Sequence, residues 1–244
     1  MSRTRAFAFL SAALAGLVGA GTLAGAVINV PNGSFEEPYV DMVSPYATSE
    51  VAIWQKAPVP AWWLGLGYSA QQWNESVGTF VNVPFAPIDN VDGRQAVFMF
   101  ATPDVELFQE LDAVFEPGFS YRLTVAIEGG GFGMKLGVPM EIRLYYRDGD
   151  QRVTVGATEV TNANSSGVLS HLTDHHLDVP AVMAGDPWAG RKIGVQLIST
   201  VGLLDAGGYW DIDNVRLTAV PEPAALLLFG AGAAALLARR RARA

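Results

Sequence analysis

The chain contains no cysteine. Disulfides, thiol nucleophiles and thiolate metal sites are therefore excluded, and the fold must hold by burial, with or without a bound cation. Histidine is scarce, three in 244 residues, and no H-E-x-x-H or G-x-S-x-G pattern occurs. Gly129-Gly130-Gly131-Phe132-Gly133 lacks the lysine and Ser/Thr of a phosphate cradle and reads as a flexible loop. No apolar pattern of helical period runs for a useful length between residues 27 and 219. Basic clusters are missing from the same stretch. Setting aside Arg3, Arg5 and the four arginines of the tail leaves 10 of 16 basic residues. Setting aside Glu222 leaves 23 of 24 acidic ones, a net charge of about −13 against −8 for the whole chain. Nucleic acid is thereby disfavoured as a partner, because phosphate neutralisation needs basic clusters. Neutral sugars, divalent cations and basic partners suit this charge better.

Long apolar runs occur only at the two ends. At the start, Arg3 and Arg5 precede an apolar stretch over 6–20, and Ala24-Gly25-Ala26 supplies the small residues that signal peptidase requires. Residues 1–26 thus read as a secretory signal cut after Ala26. At the end, Pro221-Glu222-Pro223 is followed by an apolar run over 224–238 and then by Arg239, Arg240, Arg241 and Arg243. An apolar helix with a basic stop lodges in a membrane with its basic end in the cytoplasm, which puts the preceding chain on the other side. Fifteen helical residues span only about 22 Å, short of the roughly 30 Å hydrocarbon core. That length suits a transient address better than a permanent anchor.

The middle of the chain alternates. Tyr121-Arg122-Leu123-Thr124-Val125 and Glu141-Ile142-Arg143-Leu144-Tyr145 change polarity at every residue, as half-buried strands do. Strands are predicted over 79–83, 95–100, 106–111, 121–128, 141–147, 152–160, 171–179, 192–199 and 209–217. Asp148-Gly149 predicts a hairpin between two of them, and Pro117-Gly118 and Gly207-Gly208 mark other breaks. Many short strands with regular turns predict an all-β jelly-roll β-sandwich over 27–219, with the tail 220–244 as a separate unit.

Pro-Glu-Pro, apolar helix and arginine cluster, in that order at the extreme C-terminus, resemble the PEP-CTERM sorting signal of exopolysaccharide-producing Gram-negative bacteria. The resemblance implies recognition at Pro221, Glu222 and Pro223 by a membrane-embedded protease of the exosortase type. The chain would reside briefly in the inner membrane before transfer to the cell surface or extracellular matrix. A second resemblance rests on Asn32-Gly33-Ser34-Phe35-Glu36 near the start and Asp211-Ile212-Asp213-Asn214-Val215-Arg216-Leu217 near the end. Together they look like the galactose-binding-like jelly rolls shared by carbohydrate-binding modules. This resemblance implies neighbouring first and last strands and a structural calcium with Glu36 and Asp213 as candidate ligands. The alternative is that Glu36 caps a turn and Asp213 fixes the loop at Asn214.

Few residues point to chemistry. Trp54, Trp62, Trp63 and Trp73, with Tyr68, crowd a Pro- and Gly-rich stretch. Of these, Trp62, Trp63, Tyr68 and Trp73 are candidate stacking surfaces for sugars, against the alternative that they cover the core. His171, Asp174, His175 and His176 form the one histidine cluster. On a strand His171 and His175 share a face but stand about 13 Å apart, too far for one ion. Glu106 and Glu110 share a strand face, yet acidic pairs are common in so acidic a chain. The expected role is a non-catalytic surface or matrix protein whose candidate ligand is extracellular polysaccharide. A secreted polysaccharide hydrolase or lyase is the alternative.

Overall fold

The computed structural model describes residues 25–222. Residues 1–24 of the expected secretory signal, and the apolar run and arginine cluster after residue 222, lie outside the described residues. Among the described residues no helix is long and apolar enough to cross a membrane.

The described chain is a sandwich of two antiparallel sheets. In chain order the strands are β1 (Ala26–Ile28), β2 (Ala47–Thr48), β3 (Gln55–Lys56), β4 (Val77–Val81), β5 (Gln95–Phe100), β6 (Glu106–Val114), β7 (Phe119–Gly131), β8 (Pro139–Asp148), β9 (Gln151–Thr161), β10 (Thr173–Val179), β11 (Lys192–Ser199) and β12 (Tyr209–Pro221). One sheet runs β10-β7-β12-β5-β4-β2, with β1 also paired to β12, and the other runs β3-β6-β11-β8-β9. Two short helices, α1 (Ala61–Gly65) and α2 (Ala70–Asn74), sit between β3 and β4.

Alternation decides which side chains meet between the sheets. Met140, Ile142 and Leu144 of β8, Ile193, Val195 and Leu197 of β11, and Trp210 and Ile212 of β12 all enter one continuous core. Each large apolar side chain so buried contributes about 1.5–3 kcal/mol. The intervening residues of β12, Asp211 and Asp213, are thereby turned to the outer face of the seven-stranded sheet.

The opening and closing motifs meet. β1 pairs antiparallel with β12, Ala26 opposite Ala219, as the jelly-roll resemblance implies. The Val215 N–H donates to the Gly33 carbonyl at 2.8 Å. A side chain at Gly33 would press its Cβ to 2.5 Å from the Val215 carbonyl oxygen. Asn32 and Phe35 both take positive φ, 49° and 51°. The Asn32 amide stabilises the turn by donating to the carbonyls of Glu37 and Ala52.

One expectation is corrected. The glycine run at 129–133 is not a free loop: Gly129–Gly131 complete β7, pairing with Trp210 and Tyr209. A Cβ on Gly129 would lie 2.5 Å from the Trp210 ring, and one on Gly131 would collide with the Tyr209 ring. The glycines therefore make flat beds for two aromatic rings on opposite faces. The tryptophan-rich stretch carries two short helices, at 61–65 and 70–74, and Ser69 and Gln72 form a reciprocal capping box that starts the second. Gly129→Ala is expected to cost about 1–3 kcal/mol, because Trp210 is 1% exposed and has nowhere to retreat. A lowered urea midpoint at unchanged slope would show this, and an unchanged midpoint would contradict it.

Candidate functional site

A cavity of about 370 Å³ opens on the outer face of the seven-stranded sheet. Its walls are Phe80 from β4, Phe98 and Phe100 from β5, Tyr209 from β12 and Phe132 just after β7, with Pro45 and Ala47 at one side. The rings form a chain: Phe98 to Phe100 at 5.9 Å, Phe100 to Tyr209 at 6.2 Å and Tyr209 to Phe132 at 5.7 Å between centroids. Glycine again makes the geometry. A Cβ at Gly78 would fall 2.7 Å from the Phe98 ring, so only glycine there lets that ring lie across β4.

Asp211 lies among these rings. Its register partners are Phe98 on β5 and Glu128 on β7. It is 3% exposed, and its Oδ1 is buried without a hydrogen-bond partner. Burial, with the Glu128 carboxylate adding to it, pushes the Asp211 carboxyl well above the usual carboxylate range. Glu128 is pinned beside it by three donors: the Ser170 N–H at 2.7 Å, the His171 N–H at 2.9 Å and the Asn164 Nδ2–H at 3.1 Å. The result is an apolar, aromatic-walled pocket containing one carboxyl group that favours its protonated form. Such a group can give a proton to a bound molecule in apolar surroundings.

Asp213 lies two residues along the same face, under the turn that leads into β5. Its Oδ2 accepts the Asp92 N–H at 2.5 Å, and its Oδ1 is buried without a partner. Burial pushes its carboxyl up to about 8, with Asp92 and Glu36 adding to the effect. Glu36 reaches the same turn, where its Oε1 accepts the N–H groups of Arg94 and Gln95. A Cβ on Gly93 would collide with the Glu36 carboxylate. Glu36 thus caps a turn, and it does so close to Asp213. The unpartnered Asp213 oxygen is what a hard cation would complete, so the pair fits calcium. Among the described residues no three His, Asp or Glu side chains converge on one point. The other oxygens would therefore come from backbone carbonyls and water. Millimolar calcium is expected to raise the melting temperature by several degrees through preferential binding to the folded state. Glu36→Gln should remove that rise, and an equal rise in the variant would show that calcium acts elsewhere.

The tryptophans are brought together, but with each other. Trp63 stacks on Tyr68 at 4.4 Å, and both Trp62 and Trp63 meet Trp73 edge-on at 6.0 and 5.4 Å. Trp73 is buried, and its N–H donates to the Ala57 carbonyl. The indole N–H groups of Trp62 and Trp63 donate to Asp104 Oδ2 and the Ser69 carbonyl. Tyr68 is 47% exposed. His175 and His176 are neighbours within β10, so they point to opposite faces. His176 Nδ1 contacts Thr124 Oγ1 at 2.9 Å, and His171 precedes the strand. Glu106 and Glu110 do not face each other as an acid–base pair: Arg152 holds the first and Arg147 the second. Of the sorting motif, Pro221 ends β12 and Glu222 comes directly after it, whereas Pro223, Arg239, Arg240, Arg241 and Arg243 lie outside the described residues.

Comparison with known proteins adds two matches. Residues 26–218 match the HpiC1-like family, described as HpiC1 cyclase. Residues 219–241 match the PEP-CTERM protein-sorting motif, which marks an exported protein sorted to the cell envelope and processed by exosortase. No curated protein matches. Among solved structures, a cyclase from Fischerella sp. TAU is similar at 22% identity and TM-score 0.61, covering 82% of this chain and 99% of that one. A Stig cyclase from the same organism, in complex with (3Z)-3-(1-methyl-2-pyrrolidinylidene)-3H-indole, is similar at 24% identity and TM-score 0.59, covering 82% and 100%. A third structure, a Fischerella sp. TAU cyclase in complex with 4-(1H-indol-3-yl)butan-2-one, is similar at 24% identity and TM-score 0.58, covering 81% and 98%. These likenesses establish a shared β-sandwich fold.

Proposed function

The chain belongs to the HpiC1-like cyclase family, and from that premise we propose that it is an exported cyclase acting on a flat, apolar, unsaturated substrate bound in the Asp211 pocket. The observation that carries this reading is the composition of the pocket: five aromatic rings around one buried carboxyl with an unpartnered oxygen. The Asp211 O–H gives its proton to one carbon of a substrate double bond, and the π pair of that bond forms the new C–H bond. The neighbouring carbon becomes a cation. A second π bond of the substrate attacks it, closing a ring through a new C–C bond. Loss of a proton from the cyclised cation to the Asp211 carboxylate restores both the product's unsaturation and the acid. Phe98, Phe100, Phe132 and Tyr209 present π faces and edges, and a cation over a ring face gains about 0.5–2 kcal/mol, most where the bound substrate displaces water.

The substrate class is drawn from the pocket and from the relatives. A volume of about 370 Å³ falls in the range of small-molecule sites, and two similar cyclases were solved with indole compounds. An indole carrying an unsaturated side chain fits both the flat walls and the acid. A non-catalytic glycan-binding role has less behind it, since the tryptophans that would stack on sugars are packed against one another. The Glu106 and Glu110 pair that a hydrolase or lyase would use is held by Arg152 and Arg147. In placement, the protein is proposed to lose its signal after Ala26, to pass through the inner membrane of a Gram-negative cell and to act at the surface or in the matrix.

Calorimetric titration of the purified protein with 4-(1H-indol-3-yl)butan-2-one tests the site. Binding should be measurable and should weaken at least about tenfold in Phe98→Ala, the loss of one buried stacking surface. Absence of heat, or equal heat from the variant, would remove the pocket from consideration.

A further inference from the structure

The end of β12 runs into the sorting motif, and the sheet holds it there. At Leu217 and Thr218 the strand is covered on both edges, by Ile28 and Val27 of β1 and by Leu123 and Arg122 of β7. Pairing with β7 continues through Val220 opposite Ser120 and Pro221 opposite Phe119. The Glu222 N–H then donates to the Gly118 carbonyl at 2.9 Å. The Ser120 hydroxyl donates to the Val220 carbonyl at 3.3 Å. The strand these residues lean on is itself fastened from behind: Val182 exchanges hydrogen bonds with Gly118 and Phe119 at 2.8 and 2.9 Å.

A protease takes its substrate as an extended segment whose backbone groups are free to pair with the enzyme. Here the groups on the β7 side are already paired through Glu222. Peeling the strand back far enough to free Val220 and Pro221 would strip the covering from Ala219, which is buried at 6%, and approach Leu217, which is fully buried. We infer that the folded sandwich shields the first two residues of the sorting motif, so that the processing cut falls beyond Glu222 and the mature protein keeps Pro221 and Glu222. The motif then plays two parts. Its leading half is the last rung of the sheet, and only the residues after Glu222 are handed to the membrane enzyme. The inference does not depend on what the Asp211 pocket binds.

The test uses the full chain. In cells that carry an exosortase, the intact mass of the protein recovered from the surface should correspond to a C-terminus at or beyond Glu222 and short of Ala244. A chain ending before Glu222, or one retaining the whole tail, would overturn the inference. In the purified full-length protein in detergent, the Glu222 amide should exchange with deuterium at least about a hundredfold more slowly than an unstructured amide, as a hydrogen-bonded strand position does. Exchange at the unprotected rate would overturn it even if the mass agreed.

Discussion

Asp211→Asn is expected to lower ring closure by about a hundred- to ten-thousandfold, the usual contribution of a positioned general acid, while leaving ligand affinity and melting temperature nearly unchanged. The separation arises from the geometry. Asparagine has almost the same shape as the neutral acid that burial and Glu128 favour here, so packing against Phe98 and Tyr209 survives. What is lost is a proton that can be given and taken back. Conversion of an indole bearing an unsaturated side chain, measured by chromatography and mass, checks it. A variant that cyclises at the wild-type rate would show that the carboxyl does not take part. A variant that neither binds nor folds would assign Asp211 a structural role instead. Phe98→Ala is the complementary case, since it should lose affinity first.

The second large effect concerns pH. In metal-free buffer the protein is expected to become less stable as pH rises from about 4 to about 8. Asp213 has its folded pKa pushed from the ordinary 3.8 up to about 8 by burial, and Asp211 is displaced in the same direction. Between the unfolded and folded values the native state holds more protons than the unfolded chain, so stability falls with pH throughout that window. The slope is about 1.4 kcal/mol per unit per group. Asp213 alone accounts for a loss on the order of 5 kcal/mol across the window. Asp178, held below the usual carboxylate range by the hydrogen bond and charge of Arg122, acts in the opposite sense but only below about pH 4. His175, lowered by burial and by His176, opposes the trend only below its ordinary value near 6.5. Asp213→Asn should flatten most of the slope in urea melts taken at a series of pH values. A wild-type protein that gains stability towards pH 8 without metal would contradict the assignment.

The architecture is legible because burial writes itself into alternation. The strands expected at 95–100 and 192–199 occur with those bounds, and the hairpin at Asp148-Gly149 joins β8 to β9. Strand ends are less legible. β7 and β12 each run several residues past their alternating stretches, and their extra pairing is with each other. The short helices leave little trace because five residues cannot display a helical period; only the Ser69–Gln72 capping box signals one. The glycine run at 129–131 resembles a loop because a missing side chain carries no pattern. Its meaning depends on Trp210 and Tyr209, some 80 residues away in sequence.

The candidate site is hidden for a related reason. Asp211 and Asp213 stand in the D-x-D-N-V motif, and acidic residues alternating along a strand suggest a wet face. Here that face is covered, by the Asp92 turn over Asp213 and by aromatic rings around Asp211. The rings come from four separate segments, none of which is unusual alone. One usable signal is present: Phe98 and Phe100 occupy alternate positions on β5, opposite to Val97 and Met99, which fill the core. A strand that is apolar on both faces must bury both, and the second face needs either a cover or a ligand.

A crystal of the protein soaked with 4-(1H-indol-3-yl)butan-2-one addresses the central claim most directly. The indole ring is expected to sit among Phe98, Phe132 and Tyr209, with its ketone oxygen within hydrogen-bonding distance of Asp211. An indole found only outside these rings, with water filling the space before Asp211, would contradict it.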